Sequence, residues 1–144
     1  MFKLRLLSII GFTLPLLVIP TSSQAADKKS AQVECAATDI RLTYDCMITL
    51  TNKKTEQAID DAEFTVSADM TSMQRINNDR FPGGHTVKPV AVINHGKGMY
   101  QVHLPLEMYG EWALTMDFSQ PQRDRVVTKV VITKTGGGST HSHD

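Results

Sequence analysis

Two thioethers and one imidazole are the side chains here best suited to specific chemistry. Met70 and Met73 lie three apart in Asp69-Met70-Thr71-Ser72-Met73, and His85 follows Gly83-Gly84. Both donor types are neutral and are soft or borderline. Together they suit Cu(I) and discriminate against hard cations such as magnesium or calcium. Cys35 and Cys46 form a second pair, with two readings: thiolate ligands or a disulfide. Their spacing is wide for a tight Cys-x-x-Cys site. In an oxidising compartment the disulfide is the expectation, closing a loop of about a dozen residues worth roughly 2–3 kcal/mol. Other chemistries lack their signatures. There is no Gly-x-Ser-x-Gly and no His-Glu-x-x-His, and no Cys-x-x-Cys-His for covalent haem. Asp60-Asp61 and Asp79 lack the spacing of a calcium loop and read as solvated turns. His95 falls in a Gly-rich turn and His103 on the outward parity of a strand, neither with an acid partner evident in the sequence. The chain therefore reads as non-enzymatic.

The compartment is read from residues 1–25. Lys3 and Arg5 form a basic region, Leu6 to Ile19 is almost unbroken apolar sequence, and Ser23-Gln24-Ala25 supplies small residues at a cleavage point. This is the pattern of a secretory signal peptide. The apolar run is short of the 20 or so residues a membrane span needs, so cleavage is expected rather than retention as an anchor. Removing 25 of 144 residues leaves 119, enough for one domain with a real core. The leader holds two of the 15 basic residues and none of the 15 acidic ones, leaving 13 against 15. A balance near −2 does not fit a nucleic-acid binder. The protein is expected in a bacterial periplasm.

The elements that must position these residues are strands. From Leu42 the even positions read Leu42, Tyr44, Cys46, Ile48, Leu50, and the odd ones Arg41, Thr43, Asp45, Met47, Thr49. Period two over ten residues is a half-buried strand. The pattern recurs over Ala62–Met70, Tyr100–Leu106 and Trp112–Phe118, with shorter runs at Val33–Ala37, Val87–Ile93 and Val126–Thr133. Turn signals separate them. Seven short strands in about 100 residues predict an all-β fold over 26–134: an immunoglobulin-like antiparallel sandwich of two sheets. A small barrel is the alternative. Cys35 shares the inward parity of its run, as does Cys46. A bridge across a hairpin and a bridge between the two sheets both satisfy that parity. Residues 135–144, Thr-Gly-Gly-Gly-Ser-Thr-His-Ser-His-Asp, have no apolar content and are expected to lack structure. His141 and His143 there are read as incidental polar residues, with loose metal binding as the other reading.

Met70 continues the inward parity of Phe64, Val66 and Ala68, and so has a core explanation. Met73 falls among Thr71, Ser72, Gln74 and Arg75, where burial gains little. If the loop 72–84 brings its ends together, Met70, Met73 and His85 converge on one ion. The same loop supports a second reading, as a contact for a larger periplasmic or membrane-bound partner through Arg75, Arg80 and Phe81.

Four strings carry a resemblance: Ala62–Met73, His85–Val90, Gly98-Met99-Tyr100-Gln101-Val102 and Met108-Tyr109-Gly110-Glu111-Trp112-Ala113-Leu114. Together they resemble the YtkA-like and FixH-like extracytoplasmic β-sandwich domains. The shared features are a strand ending in an acid-Met-Pro-x-Met-type turn, a His opening the next strand, and Gly-x-Tyr and Met-x-Gly-x-Trp strand starts. The resemblance covers roughly Ala62–Thr133. It implies a small non-enzymatic domain linked with copper handling, oxidase maturation or efflux, with Met70, Met73 and His85 as ligands. The chain departs from the family in having Thr71 where proline is common, and in the long stretch Gln74–Gly84 before the His.

Overall fold

The computed structural model describes residues 28–70 and 85–139. Residues 1–25, read above as a signal peptide, and Met73, Arg75, Arg80, Phe81, His141 and His143 lie outside the described residues. Nine strands follow one another: β1 (Lys29–Ala37), β2 (Thr43–Asn52), β3 (Glu63–Asp69), β4 (Thr86–Ala91), β5 (Ile93–Gly96), β6 (Met99–Pro105), β7 (Gly110–Gln120), β8 (Asp124–Ile132) and β9 (Gly136–Ser139). All described ladders are antiparallel, and they run in the order β4-β3-β7-β8-β9-β1-β2-β6-β5. The fold is therefore all-β, as the alternation predicts, with nine strands among the described residues in a nearly closed sheet where seven were expected. Among the described residues no helix is long and apolar enough to cross a membrane.

Both extra strands have physical causes. The apolar run Val87–Ile93 is divided at Val92, which separates β4 from β5. These two strands are the opposite edges of the sheet, so one short segment passes from one edge to the other and nearly closes it. His95 consequently lies on β5, at the irregularity between Asn94 and Gly96 in its ladder with β6, and not in a turn. The other extra strand corrects the expectation of an unstructured tail at 136–139, residues 140–144 lying outside the described residues. Gly136–Ser139 forms β9, wedged between β8 and β1. A Cβ at Gly136 would lie 2.2 Å from the carbonyl oxygen of Cys35, and one at Gly137 2.0 Å from that of Val131. Composition without side chains, which argued for disorder, is what lets a strand fit in this gap. Ser139 Oγ then accepts a hydrogen bond from the Val33 amide at 3.2 Å.

The core follows strand parity. Tyr44, Cys46, Ile48 and Leu50 of β2 are buried, as are Tyr100, Val102 and Leu104 of β6. They meet Phe64, Val66 and Ala68 of β3 and Trp112, Leu114, Met116 and Phe118 of β7. Each large side chain so buried contributes about 1.5–3 kcal/mol relative to exposure. Phe64 packs against Tyr100 and Phe118 with ring centroids 5.0 and 4.7 Å apart. Two buried phenols find polar partners, as buried tyrosines need. The Tyr44 hydroxyl donates to the Thr133 carbonyl at 3.0 Å. The Tyr100 hydroxyl donates to the Ile59 carbonyl at 2.7 Å and accepts from the Ala62 amide at 3.1 Å. Burial, the main cause, raises both phenols above the ordinary tyrosine value.

Cys35 and Cys46 are joined, with Cα atoms 4.0 Å apart. They are direct partners in the β1–β2 ladder. The bridge thus lies within one hairpin, the first of the two geometries compatible with their parity. It also removes thiolate ligation at these positions.

Candidate metal centre

Met70 and His85 bracket the undescribed stretch 71–84, and the β3–β4 ladder brings them together. Asp69 is paired with Thr86 and Ala68 with Val87. One step further, the Met70 amide donates to the His85 carbonyl at 3.3 Å. Ala68 and Val87 are buried, so alternation puts Met70 and His85 on the same inward face, opposite one another. Directly opposed side chains have Cβ atoms about 4.5–5.5 Å apart. A sulfur donor and a nitrogen donor therefore share one end of the molecule. Met73, three residues beyond Met70, lies outside the described residues.

The two donors sit in different surroundings. Met70 is only 5 % exposed and belongs to the core. Its methyl group reaches Gly110 at the start of β7, where an added Cβ would lie 2.9 Å from Met70 Cε. Gly110 also has φ of +132°, a conformation L side chains rarely adopt. His85 stands at the rim, with its side chain 36 % exposed. Its Nδ1 lies 2.9 Å from Oε2 of Glu107, in the β6–β7 connection. A carboxylate oxygen only accepts, so Nδ1 carries the proton and Nε2 of the neutral ring keeps its lone pair. A carboxylate that holds one imidazole nitrogen and leaves the other free is the arrangement that orients metal-binding histidines. As an ion pair the contact contributes under about 1 kcal/mol, because both groups are exposed.

A groove of about 550 Å³ opens beside His85, lined by Val87, Lys88, Pro89, Val90, Pro105, Glu107 and Trp112 among others. Trp112 is fully buried, and its Nε1 donates to the Met108 carbonyl at 3.0 Å. The Met108-x-Gly110-x-Trp112 segment therefore does structural work here. The carbonyl of Met108 fixes the indole, and Gly110 makes room for Met70.

Sequence reasoning missed Glu107, because nothing in the chain order links it to a histidine 22 residues earlier. It also left His103 without an acid partner. Asp45 lies opposite His103 in the β2–β6 ladder, and its carboxylate contacts His103 Nδ1. The alternating run around Asp45 was visible, but which strand lies beside it was not. Among the described residues, no group of three or more His, Cys, Asp or Glu side chains is placed to hold a metal.

Comparison of the chain with models of known protein families, with curated proteins and with solved structures returns no match.

Proposed function

We propose that the protein is a non-enzymatic periplasmic domain that binds Cu(I) at one end of an immunoglobulin-like sandwich. The ligands are the sulfur atoms of Met70 and Met73 and Nε2 of His85. The observation that carries this reading is the opposition of Met70 and His85 across the end of the β3–β4 ladder, with Glu107 holding the far nitrogen of the imidazole. Three neutral donors leave the ion its single charge. That suits holding and passing on Cu(I) rather than activating water. The resemblance to YtkA-like and FixH-like domains points the same way. The disulfide supports an oxidising compartment. The strand order supports the sandwich: β4-β3-β7-β8 reads as one layer and β1-β2-β6-β5 as the other, with the chain changing layers at Val92.

The test is anaerobic Cu(I) titration of the cleaved protein against a competing chelator. Met73→Leu and His85→Asn remove donors without touching the described core, and each is expected to weaken binding at this site at least tenfold. Met70→Leu keeps the volume and removes the sulfur. Unchanged stoichiometry and affinity in the triple variant would sink the proposal.

One observation favours a second reading, a metal-free module that docks a larger partner. The groove beside His85 has apolar walls from Val87, Pro89, Pro105 and Trp112, and lies where the stretch 71–84 rejoins the sheet. A partner held by Arg75, Arg80 and Phe81 would extend across it. Retention of the partner after deletion of Arg75–Pro82 counts against this reading.

A further inference from the structure

A second set of soft donors lies on the outer face of the sheet, far in sequence from Met73. Met47 on β2 and Met99 on β6 both point outward, 36 % and 38 % exposed. A single exposed methionine needs no explanation. These two are neighbours, for a reason set by the ladder. Cys35 and Cys46, 4.0 Å apart at Cα, are a narrow pair without backbone hydrogen bonds between them. The next pair, Glu34 with Met47, therefore exchanges those bonds, which turns the polar groups of Met47 toward β1. Toward β6, Met47 then forms a narrow pair with Gln101, and Thr49 forms one with Met99. Narrow pairs bring side chains closest, and the diagonal Met47–Met99 is within reach of long side chains.

His95 completes the set from β5. Its Nε2 lies 2.8 Å from Oε1 of Gln101, the β6 residue paired with Met47 and two positions along the strand from Met99. Amide oxygen only accepts, so Nε2 carries the proton and Nδ1 of the neutral ring is free. The ring is thus held over β6 with its tautomer set, as an outer partner sets a metal-binding histidine. The carboxylate of Glu34, paired with Met47, adds negative charge at the margin.

We propose that this face of β2, β6 and β5 binds a soft monovalent ion of the Cu(I) class through the sulfur atoms of Met47 and Met99 and Nδ1 of His95. Gln101 acts as a positioning residue. The site shares no ligand with the one at the end of β3.

The experiment labels the methionine methyl groups with ¹³C in the full cleaved chain and titrates with Ag(I), a redox-inert stand-in, and then anaerobically with Cu(I). The ε-methyl signals of Met47 and Met99 are expected to shift together. Met47→Leu with Met99→Leu is expected to remove one bound equivalent and leave the fold intact, since both side chains face outward. Gln101→Leu is expected to weaken binding at this face about tenfold while leaving the stoichiometry unchanged. Background variants lacking Met73 and His85 separate the two sites. One equivalent retained there, and lost on adding the Met47 and Met99 changes, supports the outer face whatever happens at β3. Uptake that leaves the Met47 and Met99 signals unmoved, or no uptake at all, overturns it.

Discussion

Among the described residues, Met70 with His85 and Met47 and Met99 with His95 occupy two places, on opposite faces of the sheet. At the end of the β3–β4 ladder, Met70 turns inward and its methyl packs on Gly110, while His85 at the rim is held by Glu107. On β2, β6 and β5, Met47 and Met99 turn outward beside a His95 held by Gln101. The residue types are the same, and one step of strand parity separates a sulfur that fills the core from one that is free to bind. At the first place a ligand role would have to be shared with packing. At the second it would have no such competitor.

Substitution separates these roles most clearly at Met70. Met70→Ala is expected to lose about 2–5 kcal/mol of stability, as for other buried large-to-small changes, read as a fall in the urea midpoint. A loss below about 1 kcal/mol would mean that Met70 is not a core residue and would erase the contrast with Met47. The disulfide comes next. Cys35→Ala with Cys46→Ala is expected to cost about 2–3 kcal/mol. Hydrogen exchange should then rise in β1 and β2, beneath Met47, more than in β3 and β4. Equal loosening of both regions would show that the bridge does not distinguish them.

Tyr100 gives a smaller, pH-dependent effect. Burial raises its phenol above 10.0 in the folded state. The folded form therefore holds its proton more tightly than the unfolded chain does. The associated stability is full below the ordinary tyrosine value and is lost as pH rises from there through the raised one. Stability measured between pH 9 and 11 should fall. Tyr100→Phe should flatten that fall, at a cost of about 1–3 kcal/mol for the orphaned Ile59 carbonyl and Ala62 amide. A slope unchanged in the variant would place the alkaline sensitivity elsewhere.

The smallest effects belong to the exposed groups. Met47→Leu, Met99→Leu and His85→Asn should each move stability by no more than about 0.5 kcal/mol. A larger loss at Met47 or Met99 would mean that the outer face is packed in the free protein, and would dissolve the comparison from that side.

Strand parity made much of this legible. The alternation over Tyr44–Leu50 and Trp112–Phe118 names the buried side chains correctly, because side chains on a strand alternate faces without reference to the rest of the fold, while Leu42 falls in the turn before β2. It also put Met70 inward and Met47 outward. It failed where neighbours matter. Val87–Ile93 reads as one strand and is two edges. Gly136–Ser139 reads as disordered and is a wedge. His103 reads as lacking an acid partner and is held by Asp45, and His95 contacts the amide of Gln101.

The sequence by itself determined the all-β class, the inward and outward assignment of nearly every core residue, and the likeness of Cys35 and Cys46 in parity, because these depend on local period alone. Only the tertiary structure decided which strands lie side by side. That choice joins the cysteines within one hairpin, sets His85 opposite Met70, and brings His95 to Gln101, the partner of Met47. Pairing between strands depends on how the whole sheet closes, through contacts dozens of residues apart, and no local pattern encodes it.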